Sequence, residues 1–187
     1  MALIKLRKGQ RNIPIKDWGD FKMSSLEIFA PDLEVLPREL SRCQNLNYLN
    51  INCPKLKEIP EDSLWFPKLK VLKITRTNLD KIPINPTHSP LLENINFQNN
   101  KFNAIPNSWP DFYYLKELNL SSNNLTDLPL EFCRHENLGR IILDNNQFEK
   151  IPVCITRMNS LHHLSMTNNP LKYEERQLAF ELFGIEI

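Results

Sequence analysis

The sequence predicts a fold built from stacked copies of one short unit, and three observations carry this prediction. A similar segment recurs without interruption at a period of 23 residues. Within the segment, leucines alternate as in a half-buried strand, and turn-favouring residues such as the "SSNN" of residues 121–124 then end the alternation. A unit of this length cannot close a core by itself, so its neighbours must cover it. The segments begin at Met23, Leu46, Leu69, Leu92, Leu115, Leu138 and Leu161.

The segment "LNLSSNNLTDLP" at residues 118–129 indicates what each part of the unit does. Leu118 and Leu120 lie two residues apart, so both point to the same side of one strand. Leu115, Leu125 and Leu128 are expected in the same core, where each fully buried side chain contributes roughly 1.5–3 kcal/mol.

An asparagine follows the strand in the later units, where a buried amide can satisfy backbone groups of the turn and of the neighbouring unit. The first three units have Pro31, Pro54 and Thr77 at this position. We therefore predict that the N-terminal third curves less regularly and opens more easily. The predicted structural asparagine ladder is Asn100, Asn123, Asn146 and Asn169.

The back half of most units carries apolar residues three apart, such as Trp109 and Phe112, which predicts a 3₁₀ or short helical turn over the core. The segment "IPINPTHSPLL" at residues 82–92 contains three prolines and predicts an extended connection instead.

Together these positions follow L-x-x-L-x-L-x-x-N-x-L, and the chain resembles the leucine-rich repeat family over nearly its whole length. The resemblance implies an α/β fold, a right-handed horseshoe-shaped solenoid with a parallel sheet on its concave side. The convex side would carry 3₁₀, short helical or extended segments. The back halves are similar to the intracellular class of 23-residue repeats found in Ras-pathway scaffolds and in bacterial effectors delivered into host cells.

Terminal repeats expose core and need caps. We predict an N-terminal cap and degenerate repeat at 1–22, the solenoid at 23–172 and a C-terminal capping helix at 173–187. The residues expected to fill the N-terminal cap are Leu3, Leu6, Ile13 and Trp18.

The C-terminal helix is expected over roughly residues 173–183, with Gly184 as its stop. Leu178, Leu182 and Ile185 are expected to form its apolar face. Two readings stay open for Phe180 and Phe183, which either pack on the last repeat or form a homodimer contact.

The composition argues against several partners. The chain has 23 basic and 22 acidic residues, a net charge of +1, which provides no field for nucleic acid. No run approaches the roughly 18 apolar residues that insert into a bilayer, and the N-terminus lacks the apolar region of a signal peptide. We expect a cytoplasmic protein, or one delivered into a host cytoplasm if it is an effector.

The four cysteines lie at positions that form no C-x-x-C pair and no zinc spacing. We favour buried thiols in a reducing compartment over disulfides. They are Cys43, Cys53, Cys133 and Cys154.

No motif supports catalysis. The sequence has no G-x-S-x-G, P-loop or paired-carboxylate arrangement. His162 and His163 occupy adjacent strand positions and should point to opposite faces. We predict no enzyme activity, no metal and no cofactor.

The candidate site is the concave face, because outward strand residues are not needed for packing. We predict a non-catalytic, monomeric module that binds an unidentified partner protein there, as a bacterial effector or adaptor in a host cell. An intracellular signalling scaffold, or a structural protein that dimerises through its C-terminal cap, are the alternatives. The predicted partner-binding residues are Phe29, Tyr48, Val71, Lys73, Arg76, Asn96, Glu117, Asn119, Arg140, Ile142, Asp144 and His163.

Overall fold

Eight parallel strands form one sheet in the computed structural model, which describes residues 2–14, 21–83, 89–106, 109 and 111–184. Each strand pairs with its neighbours in sequence, so the chain climbs as the predicted α/β solenoid. The strands are β1 (Ala2–Lys5), β2 (Ser25–Phe29), β3 (Tyr48–Asn52), β4 (Val71–Thr75), β5 (Asn94–Asn96), β6 (Glu117–Asn119), β7 (Arg140–Ile142) and β8 (His163–Ser165).

The register from β2 to β8 follows the 23-residue period, with Ser25 opposite Tyr48 and Tyr48 opposite Val71. Buried and half-buried residues alternate along these strands, so one side faces the core and the other stays open. We call the open side of the sheet the concave face. On the core side, Leu118 is 1% exposed and Leu120 is fully buried.

The first strand departs from the period by one residue. Ile4 pairs with Ile28, a separation of 24 residues, and therefore points into the core. Leu3 lies on the open side and is 56% exposed, so its prediction as a cap core residue was wrong.

The extra residue lies in the turn at 7–10. Gly9 has a φ of +91° there, and its N–H donates to the Asp32 carboxylate at 2.6 Å, 23 residues further on. The period is thus restored before Ile13, which is buried, as is Leu6. The predicted role of Trp18 lies outside the described residues.

The side of the solenoid opposite the sheet carries the predicted 3₁₀ turns. Within the described residues they span Arg38–Arg42, Glu61–Leu64, Leu130–Arg134 and Ile155–Arg157. Three of them directly follow Pro37, Pro60 or Pro129, whose fixed φ suits the start of a helical turn. The predicted extended segment at 82–92 lies partly outside the described residues.

Helix α1 (Tyr173–Phe183) covers the last repeat and ends where predicted, since Gly184 has a φ of +64° and its N–H donates to the Phe180 carbonyl at 2.8 Å. The predicted apolar face was partly wrong. Leu182 is 49% exposed, while Ala179 is fully buried.

A tertiary contact accompanies this orientation of the helix, since the Glu175 carboxylate accepts a hydrogen bond from the Ile151 N–H at 2.8 Å. Phe183 packs against the core, and Phe180 stays 59% exposed. Ile185 lies outside the described residues. Across the part of the chain that the structure describes, no helix has the length and apolar character needed to cross a membrane.

Candidate functional site

The turns that leave the later strands are held by buried asparagine amides. Asn146 Nδ2 donates to the Leu143 carbonyl at 3.0 Å and to the Leu120 carbonyl of the preceding repeat at 2.9 Å. Its Oδ1 accepts from the Leu125 N–H at 3.0 Å. Asn123 and Asn169 make the corresponding bonds one repeat earlier and later. Each amide thus ties its own turn to the repeat before it.

The residue before each ladder asparagine adopts a left-handed backbone. Asn99, Ser122 and Asn145 have φ values of 58°, 56° and 54°. Asparagine tolerates this conformation better than serine does. Strands β5 to β8, which precede ladder turns, have three residues, whereas β2 to β4 have five. The sequence indicates this difference only indirectly, through Pro31, Pro54 and Thr77 after the longer strands.

The concave face presents the predicted partner-binding residues in rows of matching register, as in the row from Val71 through Asn94 and Glu117 to Arg140. Arg76 and Glu117 are exposed. The half-buried members are Phe29, Tyr48, Val71, Lys73, Asn96, Asn119, Arg140, Ile142, Asp144 and His163.

In the N-terminal part of this face, the Tyr48 side chain lies between the Glu27 carboxylate and the Lys73 ammonium. The Tyr48 hydroxyl donates to Glu27 at 3.3 Å, and Lys73 Nζ lies 5.6 Å from the centre of the Tyr48 ring. Burial, followed by the Glu27 carboxylate, raises the pKa of Tyr48. Tyr48 therefore remains a neutral hydrogen-bond donor at neutral pH.

The centre of the face is a shallow cavity of about 180 Å³. On its floor, Asn94 Nδ2 donates to Glu117 Oε2 at 2.6 Å. Asn96 Oδ1 accepts from the Gln98 N–H at 3.1 Å. The first bond connects neighbouring strands, and the second holds the backbone at the end of strand β5. The cavity is lined by Lys73, Asn94, Asn96, Glu117, Leu118, Asn119, Arg140 and Ile142.

Carboxylates and cations on this face differ in how they are paired. Asp144 Oδ1 accepts from Ser165 Oγ at 2.6 Å and from the Thr167 N–H at 2.8 Å. Among the described residues, neither the Lys73 ammonium nor the Arg140 guanidinium has a hydrogen bond or ion pair. The two cations Lys73 and Arg140 thus keep hydrogen-bond donors that no acceptor of the described residues occupies.

Ion pairs occur on the flank of the solenoid instead. Glu93 accepts hydrogen bonds from Lys116 at 2.8 Å and from Lys70 at 2.9 Å. These two contacts lower the pKa of Glu93 to about 2. The pairs connect successive repeats and lie away from the cavity.

A buried polar pair lies among the aromatic residues of the back half. Trp109 Nε1 donates to His135 Nε2 at 3.2 Å, so Nδ1 of the neutral ring donates to the Phe132 carbonyl at 3.0 Å. The sequence alone does not reveal this bond, because it depends on the stacking of two repeats.

The cysteines are thiols in this structure. Burial raises the pKa of Cys43 and of Cys53 to about 11, and that of Cys154 to about 12. No group of three or more potential metal ligands occurs among the described residues.

Comparison with known proteins gives a family match and similar folds. Residues 113–171 match the family described as leucine rich repeat. A search of curated protein sequences found no match. The structure of the Toll–Spatzle complex of Drosophila aligns with a TM-score of 0.75 and 18% identity, over 84% of this chain and 22% of that one.

An internalin (inlF) from Listeria monocytogenes aligns with a TM-score of 0.60 and 19% identity, over 96% of this chain and 58% of that one. The Arabidopsis receptor kinase HAESA, solved with the peptide hormone IDA and the co-receptor SERK1, gives a TM-score of 0.65 and 21% identity, over 84% and 27%. This chain therefore spans less than two thirds of each of these solved chains. Residues 113–171 thus match the leucine-rich repeat family, and the chain as a whole has the parallel-strand solenoid fold of leucine-rich repeat proteins.

Proposed function

We propose that the chain is a non-catalytic module that recognises a partner protein through its concave face. Leucine-rich repeat folds are typical of protein–protein interaction modules. The observation that carries the proposal is the pair of unsatisfied cations, Lys73 and Arg140, around the central cavity. Ile142 adds an apolar contact beside them, and a cation with an adjacent apolar group is a common interface anchor.

Two further observations support the proposal. The Toll structure is of a complex with Spatzle, and the HAESA structure is of a complex with a peptide hormone and a co-receptor. In this chain the asparagine ladder holds the strands in place, so little conformational entropy is lost when a partner binds. The buried thiols Cys43, Cys53 and Cys154 favour a reducing compartment as its site of action.

The test is affinity capture from eukaryotic and bacterial lysates with mass spectrometry. A Lys73→Glu/Arg140→Glu variant should lose a protein that the wild type captures. Lys81→Glu/Lys101→Glu is the matched control, because it reverses two exposed charges outside the concave face. Equal recovery by all three proteins would refute concave-face binding. The identity of the captured protein distinguishes an effector in a host cell from a scaffold in its own cell.

Homodimerisation through the C-terminal cap is a second candidate, favoured by one observation. Tyr173 and Phe180 lie two helical turns apart on the same side of α1 and are 70% and 59% exposed. Light scattering of the wild type and of Phe180→Glu tests this role. A monomeric wild type excludes it, and a dimer that Phe180→Glu dissociates supports it.

A further inference from the structure

On the concave face the carboxylates have hydrogen-bond partners within the protein, whereas two cations beside the central cavity have none among the described residues. The three carboxylates there already accept bonds from neutral neighbours: Glu27 from Tyr48, Glu117 from Asn94, and Asp144 from Ser165 and Thr167. Lys73 and Arg140 carry donors without a hydrogen-bonded partner. A ligand that pairs with both of these cations must therefore bring acceptors, and its charge must be negative at two places.

The sheet fixes the distance between those two places. Lys73 lies on β4 and Arg140 on β7, three strand-to-strand steps apart. Neighbouring strands are about 4.8 Å apart, which separates the two cations by about 14 Å across the sheet. The register places Lys73 level with Ile142, two residues or about 7 Å along the strand from Arg140, so the two positions are about 16 Å apart in all. An extended peptide rises about 3.3 Å per residue and repeats its side-chain direction every two residues. Residues i and i+4 of such a peptide point the same way and span about 13 Å, and the long side chains of Lys73 and Arg140 close the remaining distance of about 3 Å.

We infer that the concave face binds an extended acidic peptide segment whose carboxylates at positions i and i+4 pair with Lys73 and Arg140. This inference rests on the proposed function and specifies the chemistry of the partner. Glu117 lies between the two cations and is negative, so the ligand residue at i+2 must be neutral and supply a donor. A glutamine at i+2 meets both conditions.

Fluorescence anisotropy at low ionic strength tests the spacing with labelled peptides. One contains Glu-Ala-Gln-Ala-Glu, with acids at i and i+4. Its control contains Glu-Ala-Gln-Glu-Ala, which has the same composition but directs its acids to opposite sides. We expect the first peptide to bind about threefold to tenfold more tightly, the range of one or two partly exposed ion pairs. Equal affinities, or no binding of either peptide, would overturn the inference.

Two charge-neutralising variants test whether the preference between the peptides depends on Lys73 and Arg140. Lys73→Gln/Arg140→Gln should abolish the preference between the peptides, and Lys81→Gln/Lys101→Gln should retain it. A preference that persists in the first variant contradicts the inference, provided that circular dichroism shows the fold intact. A third peptide carries phosphoserine in place of both acids, and binding of this peptide alone would refute the choice of carboxylate. Suppose that no peptide binds, but that Lys73→Glu/Arg140→Glu still fails to capture a lysate protein that the wild type captures. Then only this inference fails, and the proposed function stands.

Discussion

Replacing Asn146 by alanine should destabilise the solenoid in a way that the ladder geometry defines. The substitution removes the acceptor of the Leu125 N–H and one donor each to the Leu120 and Leu143 carbonyls. The two carbonyls keep a second amide donor, from Asn123 and Asn169 respectively. The buried N–H of Leu125 is therefore the main loss. Leaving such a group without a partner costs about 1–3 kcal/mol, and we expect a total of about 2–3 kcal/mol.

The shared carbonyl makes the ladder cooperative. In the double variant Asn123→Ala/Asn146→Ala, the Leu120 carbonyl loses both of its amide donors. The double variant should therefore lose about 1 kcal/mol more than the sum of the single losses.

Equilibrium urea unfolding, followed by circular dichroism, measures these differences. Asn124→Ala is the control, because Asn124 is exposed and its replacement should stay within about 0.5 kcal/mol of the wild type. A loss below about 0.5 kcal/mol for Asn146→Ala would show that the ladder contributes little to stability. Strictly additive single losses would show that the shared carbonyl does not couple neighbouring repeats.

Three further predictions concern other parts of the fold. Ser122→Asn should raise the melting temperature, because Ser122 has a φ of 56° and asparagine adopts this left-handed conformation more readily than serine. The gain in the free energy of unfolding should be a few tenths of a kcal/mol to about 1 kcal/mol, and an unchanged melting temperature contradicts the prediction. His135→Leu should cost about 1–3 kcal/mol in urea unfolding, since it leaves the buried N–H of Trp109 without this acceptor, and a neutral result would contradict the role of that bond. The pKa of Glu93 is lowered from 4.5 to about 2, so its ionised form stabilises the folded state above pH 4.5 and this contribution is lost as the pH falls toward 2. Glu93→Gln should therefore flatten the decline in melting temperature across this window, and an unchanged profile would argue against it.

Much of the fold could be predicted from the sequence because the period places the same residue type in the same environment in every repeat. Leu115, Leu125 and Leu128 are buried as expected, and helix α1 ends at Gly184. The one-residue shift of β1 relative to the 23-residue period could not be predicted. The first unit lacks a marker residue to align, and the extra residue lies in the turn at Gly9, which only the strand pairing reveals.

The sequence predicts which side chains lie on the open side of the sheet, but not which of them pair with one another. Alternation along a strand determines which residues leave the core, and Lys73 and Arg140 lie on the open side for that reason. Register brings Glu117 beside Arg140, which suggests an ion pair from sequence alone. In the structure Glu117 bonds Asn94 on the other side, and this choice between two neighbours depends on side-chain conformation.

The bonding of Glu117 to Asn94, rather than to Arg140, matters for recognition. If Glu117 paired with Arg140, the face would have little unsatisfied charge to offer a partner, and an approaching carboxylate would have to displace an internal one. Because Asn94 holds Glu117, the guanidinium of Arg140 stays available while the negative charge remains nearby. The nearby carboxylate weakens the attraction for any anion and penalises ligands that place an acid between the two cations. In the proposed complex this arrangement therefore favours selectivity over affinity, because it disfavours evenly acidic segments relative to those that carry acids only at Lys73 and Arg140.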